Sequence, residues 1–239
     1  MTGRLSGQVA VVTGAGRGIG RAIALALSEE GAFLSLAART KKEIDAVAQE
    51  IEARGGKALS LVTDVSQESQ VEQLIDSTLA AYGKIDVLVN CAGIGHFGPV
   101  ANTSLADWQA QLDVNLTGAF LCCRAALRPM IEQGKGHIIN ILSGAGRVGF
   151  AHAAGYCASK FGLMGLSEAL ALEVKEHNIK VSVVCPGRTD TSFAGLVRTS
   201  EEKERILKPE DVAKTVLDVA TSSERALVSE LHVRPFKWV

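Results

Sequence analysis

The sequence lacks three features that mark particular classes of protein: an excess of one charge, a long apolar run and an ordered set of cysteine pairs. Its 25 Lys and Arg residues nearly cancel its 26 Asp and Glu residues, whereas a nucleic-acid-binding surface needs a basic face. No run approaches the roughly 20 apolar residues of a membrane span, and residues 1–7 are too short and polar for a secretory signal. We therefore expect neither nucleic acid nor a membrane among its partners.

The cysteines are odd in number and form no C-x-x-C pair, which argues against a disulfide framework and against a zinc site. Four of them lie in apolar surroundings, where cysteine acts as a small apolar residue. Cys157 adjoins a candidate catalytic residue and is interpreted either as a reactive thiol or, as we favour, as an inert one. A reducing cytoplasm suits this pattern. The five residues are Cys91, Cys122, Cys123, Cys157 and Cys185.

The sequence does contain a regular alternation of short apolar runs with longer stretches of helical periodicity. No linker or repeat interrupts it, so residues 1–239 are interpreted as one domain. Seven apolar strands separated by helices predict a Rossmann-type, doubly wound α/β fold, because right-handed crossovers place helices on both faces of a parallel sheet. The predicted strands are 9–13, 33–37, 58–62, 86–90, 137–142, 180–185 and 226–233. The predicted helices are 18–30, 41–54, 66–82, 105–132 (one or two), 153–177 and 209–221.

A glycine-rich stretch, TGAGRGIG at 13–20, joins the first strand to the first helix. Glycine allows positive φ and a close backbone approach, and a helix N-terminus favours negative charge, so this position suits a dinucleotide pyrophosphate. Gly14, Gly18 and Gly20 give the spacing G-x-x-x-G-x-G, which differs from G-x-G-x-x-G. The alternative is a tight turn with nothing bound.

The second predicted strand ends in Ala38-Arg39 and has no acidic residue to bind a ribose 2′-hydroxyl. Arg39 stands where that acid is expected, and Arg17 lies inside the glycine loop. Guanidinium groups suit bidentate phosphate contacts, so the pair favours NADP(H) over NAD(H). The alternative is that both arginines simply face solvent.

Tyr156 and Lys160 are four residues apart on a predicted helix and therefore share a face. An ammonium group near the phenol lowers its pKa from about 10 and brings it closer to the range useful for proton transfer. For these two residues alone, the alternative is a chance pair. Ser143 supports the functional interpretation because it ends a predicted strand at the expected ligand crevice. Asn115 is a polar residue within an apolar helix, and a structural role for its amide is also expected.

With these residues in place, the sequence resembles the short-chain dehydrogenase/reductase family, in its 3-oxoacyl reductase-like branch, from about Gly7 to Thr191. The resemblance implies that Tyr156 is the general acid in carbonyl reduction and that Lys160 lowers its pKa and binds the nicotinamide ribose. It implies that Ser143 binds the substrate oxygen and that Asn115 holds a helix irregularity and a water in a proton relay. The cofactor contacts that it implies are Gly14, Arg17, Gly18, Ile19, Gly20, Arg39, Asp64, Val65, Asn90, Ala92, Gly93, Tyr156, Lys160, Pro186, Gly187, Thr189 and Thr191.

The resemblance weakens after Thr191. Residues 189–208 are expected to form a substrate lid, and Arg147 either binds an anionic substrate or faces water. The family's Asp-Gly-Gly ending is absent, but apolar helices at 105–132 and 153–177 still favour a homodimer or homotetramer. The candidate pocket residues are His96, Phe97, Gly144, Arg147, Val148, Phe150, His152, Phe193 and Leu196.

The sequence thus predicts an NADP(H)-dependent oxidoreductase acting on a carbonyl or secondary alcohol, without a metal. A 3-oxoacyl-thioester reductase and an NAD(H)-preferring enzyme are the enzymatic alternatives. A dinucleotide-binding regulator without turnover is the alternative from another class, although such a protein has no need of Ser143, Tyr156 and Lys160 together.

Overall fold

The computed structural model of the protein describes residues 3–195 and 199–236, and within them strands and helices alternate along the chain. The strands are β1 (Val9–Thr13), β2 (Phe33–Ala38), β3 (Lys57–Val62), β4 (Val87–Asn90), β5 (Gly136–Ile141), β6 (Ile179–Pro186) and β7 (Glu230–Val233). The helices are α1 (Gly18–Glu29), α2 (Lys41–Ala53), α3 (Glu68–Tyr82), α4 (Leu105–Leu112), α5 (Gly118–Gln133), α6 (Ala154–Glu173), α7 (Ser200–Arg205) and α8 (Pro209–Ala220).

The seven strands form one parallel sheet in the order β3-β2-β1-β4-β5-β6-β7, which confirms the predicted fold class. Val12 of β1 lies between Leu36 of β2 and Val89 of β4. The chain winds outward from β1 to β3 and then returns to β4 on the other side of β1. Such a reversal opens a crevice at the carboxyl ends of β1 and β4, where ligands bind in sheets of this kind.

Two apolar cores cover the two faces of the sheet. Ala10 and Val12 face α1, α2 and α8, whereas Val11 between them faces the side covered by α3 and α5. Because both faces are buried, the strands read as continuous apolar runs rather than alternating ones. None of the helices within the described ranges is both long and apolar enough to cross a bilayer.

Several predicted boundaries differ from the structure, among them the end of the helix predicted at 153–177, which stops at Glu173, and three further differences are informative. The predicted helix 105–132 is two helices, α4 and α5, joined by a π-helical turn at Asp113–Thr117. Helix α3 begins at Glu68 rather than residue 66, because the Ser66 hydroxyl bonds to Asp64 instead of capping the helix. The last strand begins at Glu230 rather than residue 226, since β7 pairs only with the last four residues of β6, Val183–Pro186.

Candidate active site

The loop between β1 and α1 can be built only with glycine at its three spaced positions. Gly14 has φ +65°, and a Cβ there would lie 2.9 Å from Ala92 Cα. Gly18 has φ +55°, and a Cβ on Gly20 would lie 2.2 Å from the Gly14 carbonyl oxygen. The loop therefore keeps its backbone bare where α1 begins, and α1 has no acidic residue in its first turn. Bare backbone and a helix N-terminus together fit a pyrophosphate group.

Thr13, which the sequence analysis did not single out, joins this loop to the end of β4. Its buried hydroxyl accepts hydrogen bonds from the backbone N–H groups of Cys91 and Ala92, both at 3.1 Å. The loop after β4 is thus held against Gly14, whose missing side chain permits the approach. A threonine that ends a strand just before a glycine loop was the available signal.

The two arginines expected to select the cofactor lie at the same end of the sheet. Arg39 follows β2 and is exposed, and no ion pair to it occurs in the part of the chain that the structure describes. Arg17 lies 3.9 Å from Glu43 and its side chain is 68% exposed. Both guanidinium groups are therefore available to an anion, and Ile19 beside them packs partly into the core.

The four candidate catalytic residues converge at the carboxyl edge of the sheet. Tyr156 and Lys160 lie on α6, and Ser143 lies directly after β5, close enough for its side chain to oppose the rise in the pKa of Tyr156. The Lys160 ammonium group donates to the Ile141 carbonyl at 2.9 Å and lies 5.8 Å from the centre of the Tyr156 ring. Tyr156 is 9% exposed and Lys160 only 4%, so both side chains are largely shielded from water.

Asn115 ties the loop after β4 to α6 from within the π-helical turn. Its Oδ1 accepts from the Ile94 N–H at 2.8 Å, and its Nδ2 donates to the Ile94 carbonyl and the Ser159 hydroxyl, both at 2.9 Å. A Cβ on Gly93 would lie 3.4 Å from Asn115 Oδ1 and 3.9 Å from Lys160 Nζ. The structural role expected for this amide is therefore confirmed, and it adjoins the lysine.

The electrostatics of Tyr156 and Lys160 differ from the sequence expectation. Burial raises the pKa of Tyr156 to about 12, although its hydrogen bond with Ser143 opposes the rise. Burial also lowers the pKa of Lys160 to about 8. The expected lowering of the tyrosine pKa by Lys160 was wrong, because desolvation outweighs an ammonium group that is directed at the Ile141 carbonyl. The phenol is protonated at neutral pH, as a general acid must be.

Three residues expected to contact the cofactor after β3 and at the end of β4 make contacts within the protein. Asp64 Oδ1 accepts from the Ser66 N–H at 3.0 Å and the Ser66 hydroxyl at 2.7 Å, and Val65 is buried against Gly118. Asn90 turns inward and donates to Asn140 at 2.9 Å. The Asn90 amide thus completes a buried polar pair between β4 and β5, and the cofactor contact expected of this residue stays a prediction.

The segment after β6 passes over the glycine loop. Pro186 ends the strand, and the Gly187 N–H donates to the Val233 carbonyl at 2.7 Å. Thr189 is buried and bridges to Leu207. The Thr191 methyl lies 3.2 Å from the position of a Cβ on Gly18, so the start of the expected lid covers the loop. Leu196, a candidate pocket residue, lies outside the described residues.

Aromatic rings enclose the tyrosine. The Phe97 and Phe193 ring centres lie 5.7 and 5.6 Å from that of Tyr156, which places both candidates beside the Tyr156 ring. Cys157 is buried in the same small cluster, as the inert interpretation requires. His96, Phe150 and His152 are exposed, as is Val148, while Gly144 adjoins open space.

Arg147 does not face the tyrosine as an unpaired cation. Its guanidinium donates to Glu230 at 3.0 and 2.7 Å and to Glu168 at 3.0 Å. These carboxylates neutralise the guanidinium, although the side chain is still 43% exposed, as the expectation that it faces water requires; anion binding stays a prediction. The partners come from α6 and β7, and no local pattern connects them to residue 147.

Comparisons with known proteins agree with this geometry. A family model described as short chain dehydrogenase matches residues 8–202. A 3-oxoacyl-[acyl-carrier-protein] reductase of Synechocystis sp. is 39% identical over 231 residues, covering 94% of this chain and 94% of that protein. A glycine betaine reductase of Emericella nidulans is 36% identical over 98% of this chain, which spans 19% of that protein's length.

A solved structure gives the same result at the level of the fold. The crystal structure of a metagenomic short-chain oxidoreductase in complex with NADP is 43% identical, with 97% of this chain and 99% of that chain covered and a TM-score of 0.86. The family match at residues 8–202 includes both the glycine loop and the Tyr156–Lys160 pair. The chain belongs to the short-chain dehydrogenase family of oxidoreductases.

Proposed function

We propose that the protein is an NADP(H)-dependent oxidoreductase that interconverts a carbonyl group and a secondary alcohol, with Tyr156 as general acid and base. The observation that carries the proposal is the convergence of buried Tyr156 and Lys160 with Ser143 at the carboxyl edge of the sheet, with Lys160 Nζ 5.8 Å from the centre of the Tyr156 ring. Two hydroxyl groups beside a buried ammonium suit a substrate oxygen that gains negative charge. A regulator without turnover has no use for such a pair.

The residues present fit NADP(H). The Gly14–Gly18–Gly20 loop would hold the pyrophosphate, and Arg39 and Arg17 the 2′-phosphate. The metagenomic relative contains NADP, which supports this choice over NAD(H). Asp64, the Val65 backbone, the backbone of Asn90, Ala92 and Gly93 would border the adenosine, and Tyr156, Lys160, Pro186, Gly187, Thr189 and Thr191 the nicotinamide end. When bound, the nicotinamide donates or accepts a hydride.

In the direction of reduction, the chain's own residues hold the substrate and supply a proton. Ser143 and Tyr156 donate hydrogen bonds to the carbonyl oxygen and stabilise the charge that develops there. The phenol proton passes to that oxygen, which gives the alcohol and leaves a phenolate stabilised by Lys160. We propose that a water held near Asn115 returns a proton through Lys160. In oxidation the phenolate accepts the proton instead.

The pKa of Lys160 predicts the pH profile of carbonyl reduction. The ammonium form stabilises the phenolate, so kcat/KM should be constant below about pH 8 and fall about tenfold per pH unit above it. Initial rates of NADPH oxidation between pH 6 and about 10 would measure the profile. Lys160→Met should give a low rate with no break at that pH. A rate that rises through pH 8 in the wild-type protein would contradict the assignment.

The Synechocystis relative supports a narrower candidate, a 3-oxoacyl-thioester reductase. That relative is described as acting on acyl-carrier-protein substrates, and the chemistry at Tyr156 would be the same. Comparing kcat/KM for a 3-oxoacyl thioester with that for simple ketones decides between this candidate and an oxidoreductase that acts on carbonyl groups in general. We place the general carbonyl oxidoreductase first. Arg147, the cation nearest Ser143 in sequence, is already paired with two carboxylates and so is less available to an anionic substrate.

We also propose a homo-oligomer built on α5 and α6. These helices expose large apolar side chains, with Phe120 41%, Phe161 46% and Leu172 80% accessible, and exposed apolar clusters mark interfaces. Phe161→Glu should shift the protein to a smaller species in sedimentation velocity, because a buried carboxylate opposes association. Val62→Glu, an equally exposed position on β3, is the matched control. Equal sedimentation of both variants and the wild type would refute this interface.

A further inference from the structure

Three side chains of types that can bind a metal lie together on strands β6 and β7, near the segment that carries Ser143. Cys185 and His232 are partners in the register of these strands, and Glu230 lies two residues before His232 on the same face. The Cys185 thiol, the His232 imidazole and a Glu230 oxygen lie within 4.8 Å of one another. No sequence pattern predicts this group, because its spacing matches no metal motif and only the pairing of β6 with β7 brings the residues together.

The two recorded distances in this group lie slightly outside the spacing of a tetrahedral ion, one shorter and one longer. Glu230 Oε1 lies 2.9 Å from His232 Nε2 and 3.9 Å from Cys185 Sγ. Tetrahedral Zn²⁺ with sulfur, nitrogen and oxygen ligands has ligand atoms about 3.3–3.8 Å apart. Small side-chain movements would therefore give three ligands, and a water would complete the set. His232 and Glu230 are partly exposed, which gives an ion an approach path.

The charges around the cluster also fit a divalent ion. Arg147 donates to both Glu230 oxygens, through Nε to Oε1 at 3.0 Å and through Nη2 to Oε2 at 2.7 Å, so a metal on Oε1 would replace the Nε bond while Oε2 keeps this partner as an outer support. Arg147 also pairs with Glu168 at 3.0 Å. Two carboxylates and a thiolate then balance the guanidinium and a divalent ion. Thiolate, imidazole and carboxylate together favour Zn²⁺ over Mg²⁺ or Ca²⁺.

We propose that Cys185, Glu230 and His232 form a Zn²⁺ site whose occupation inhibits the enzyme. On binding, the Cys185 S–H bond breaks, its proton passes to solvent, and the sulfur bonds to the metal. His232 binds through Nε2 and keeps its proton on Nδ1. The inhibition follows from position, since the Leu142 N–H, next to Ser143, donates to the Val184 carbonyl, next to Cys185, at 2.8 Å, and Glu230 Oε1 accepts from Arg147 Nε at 3.0 Å. Metal binding shifts Cys185 and Glu230, and through these contacts it moves the segment 142–147 that carries Ser143.

Binding is tested first without reference to activity, so that it stands apart from the proposed function. Co²⁺ titrated into the metal-free full chain should give a thiolate-to-cobalt charge-transfer band and tetrahedral visible bands, and Zn²⁺ should abolish both at one ion per chain. His232→Ala should weaken Zn²⁺ binding by more than about 100-fold, because even losing an outer partner costs 10–100-fold. His177→Ala, a similarly exposed histidine, should bind as the wild type does. Absence of the thiolate band, or equal binding by His232→Ala, overturns the site.

Activity is the second readout and depends on the proposed oxidoreductase function. Low micromolar Zn²⁺ should inhibit NADPH oxidation by the wild type and by His177→Ala. His232→Ala should keep the metal-free rate and resist the ion. Equal inhibition of His232→Ala would place the inhibitory ion elsewhere and overturn the inhibitory role. A protein that shows the cobalt bands but turns over no carbonyl would leave the metal site standing and refute the proposed function.

Discussion

Replacing Tyr156 by phenylalanine is expected to lower kcat/KM for ketone reduction by about 10³-fold or more while NADPH still binds. General acid catalysis contributes about 10²–10⁴-fold, and loss of the hydroxyl also removes a donor to the developing alkoxide. The ring itself stays packed between Phe97 and Phe193, so the fold and the crevice are retained. Initial rates of NADPH oxidation and a fluorescence titration of bound NADPH measure the two effects separately.

The second tyrosine of the chain is the matched control for this variant. The Tyr82 hydroxyl donates to the Leu34 carbonyl at 3.3 Å and has no part in the crevice. Tyr82→Phe should therefore reduce ketones at the wild-type rate. If Tyr156→Phe also retains that rate, Tyr156 is not the acid and the proton comes from another group.

Replacing Arg39 by aspartate is expected to lower the ratio of kcat/KM for NADPH to that for NADH by at least about 100-fold. A hydrogen bond to a charged group contributes about 1.5–3 kcal/mol, or about 10–100-fold. The introduced carboxylate also repels the 2′-phosphate and can accept from the 2′-hydroxyl of NAD(H). Steady-state kinetics with each cofactor, at a saturating concentration of one ketone, give the ratio.

Arg225→Asp makes the same change in net charge at an exposed position before β7 and should leave the ratio unchanged. This control separates a local contact from the general field of the protein. An unaltered NADPH preference in Arg39→Asp would refute the role assigned to that arginine. Arg17, with Glu43 3.9 Å away, would then be the remaining candidate for the 2′-phosphate contact.

The fold and the glycine loop could be predicted because their causes are local. Strand, glycines and helix follow one another directly, and positive φ at Gly14 and Gly18 is a property of single residues. Tyr156 and Lys160 share a helix, so their common face follows from helical periodicity. Ser143 could be placed because parallel strands end at a common edge of the sheet.

Properties set by distant partners could not be predicted. Arg147 is neutralised by Glu230, 83 residues away in sequence, and Asn90 is turned inward by Asn140, 50 residues away. The pKa of Tyr156 follows from its burial, which depends on the packing of Phe97 and Phe193 around it. The hydroxyl of Thr13 gained its role only when β4 came to lie beside β1. In each case tertiary packing decided what a side chain does.

The central claim, that this chain turns over carbonyl substrates with NADP(H) at Tyr156, is tested most directly by one measurement. Purified protein is supplied with NADPH or NADH and a panel of ketones, aldehydes and 3-oxoacyl thioesters, and cofactor oxidation is followed. The account predicts turnover of at least one carbonyl, faster with NADPH than with NADH and lost in Tyr156→Phe. Tight binding of NADPH with no turnover across that panel, or across the matching alcohols with NADP⁺, would contradict it and favour a regulator.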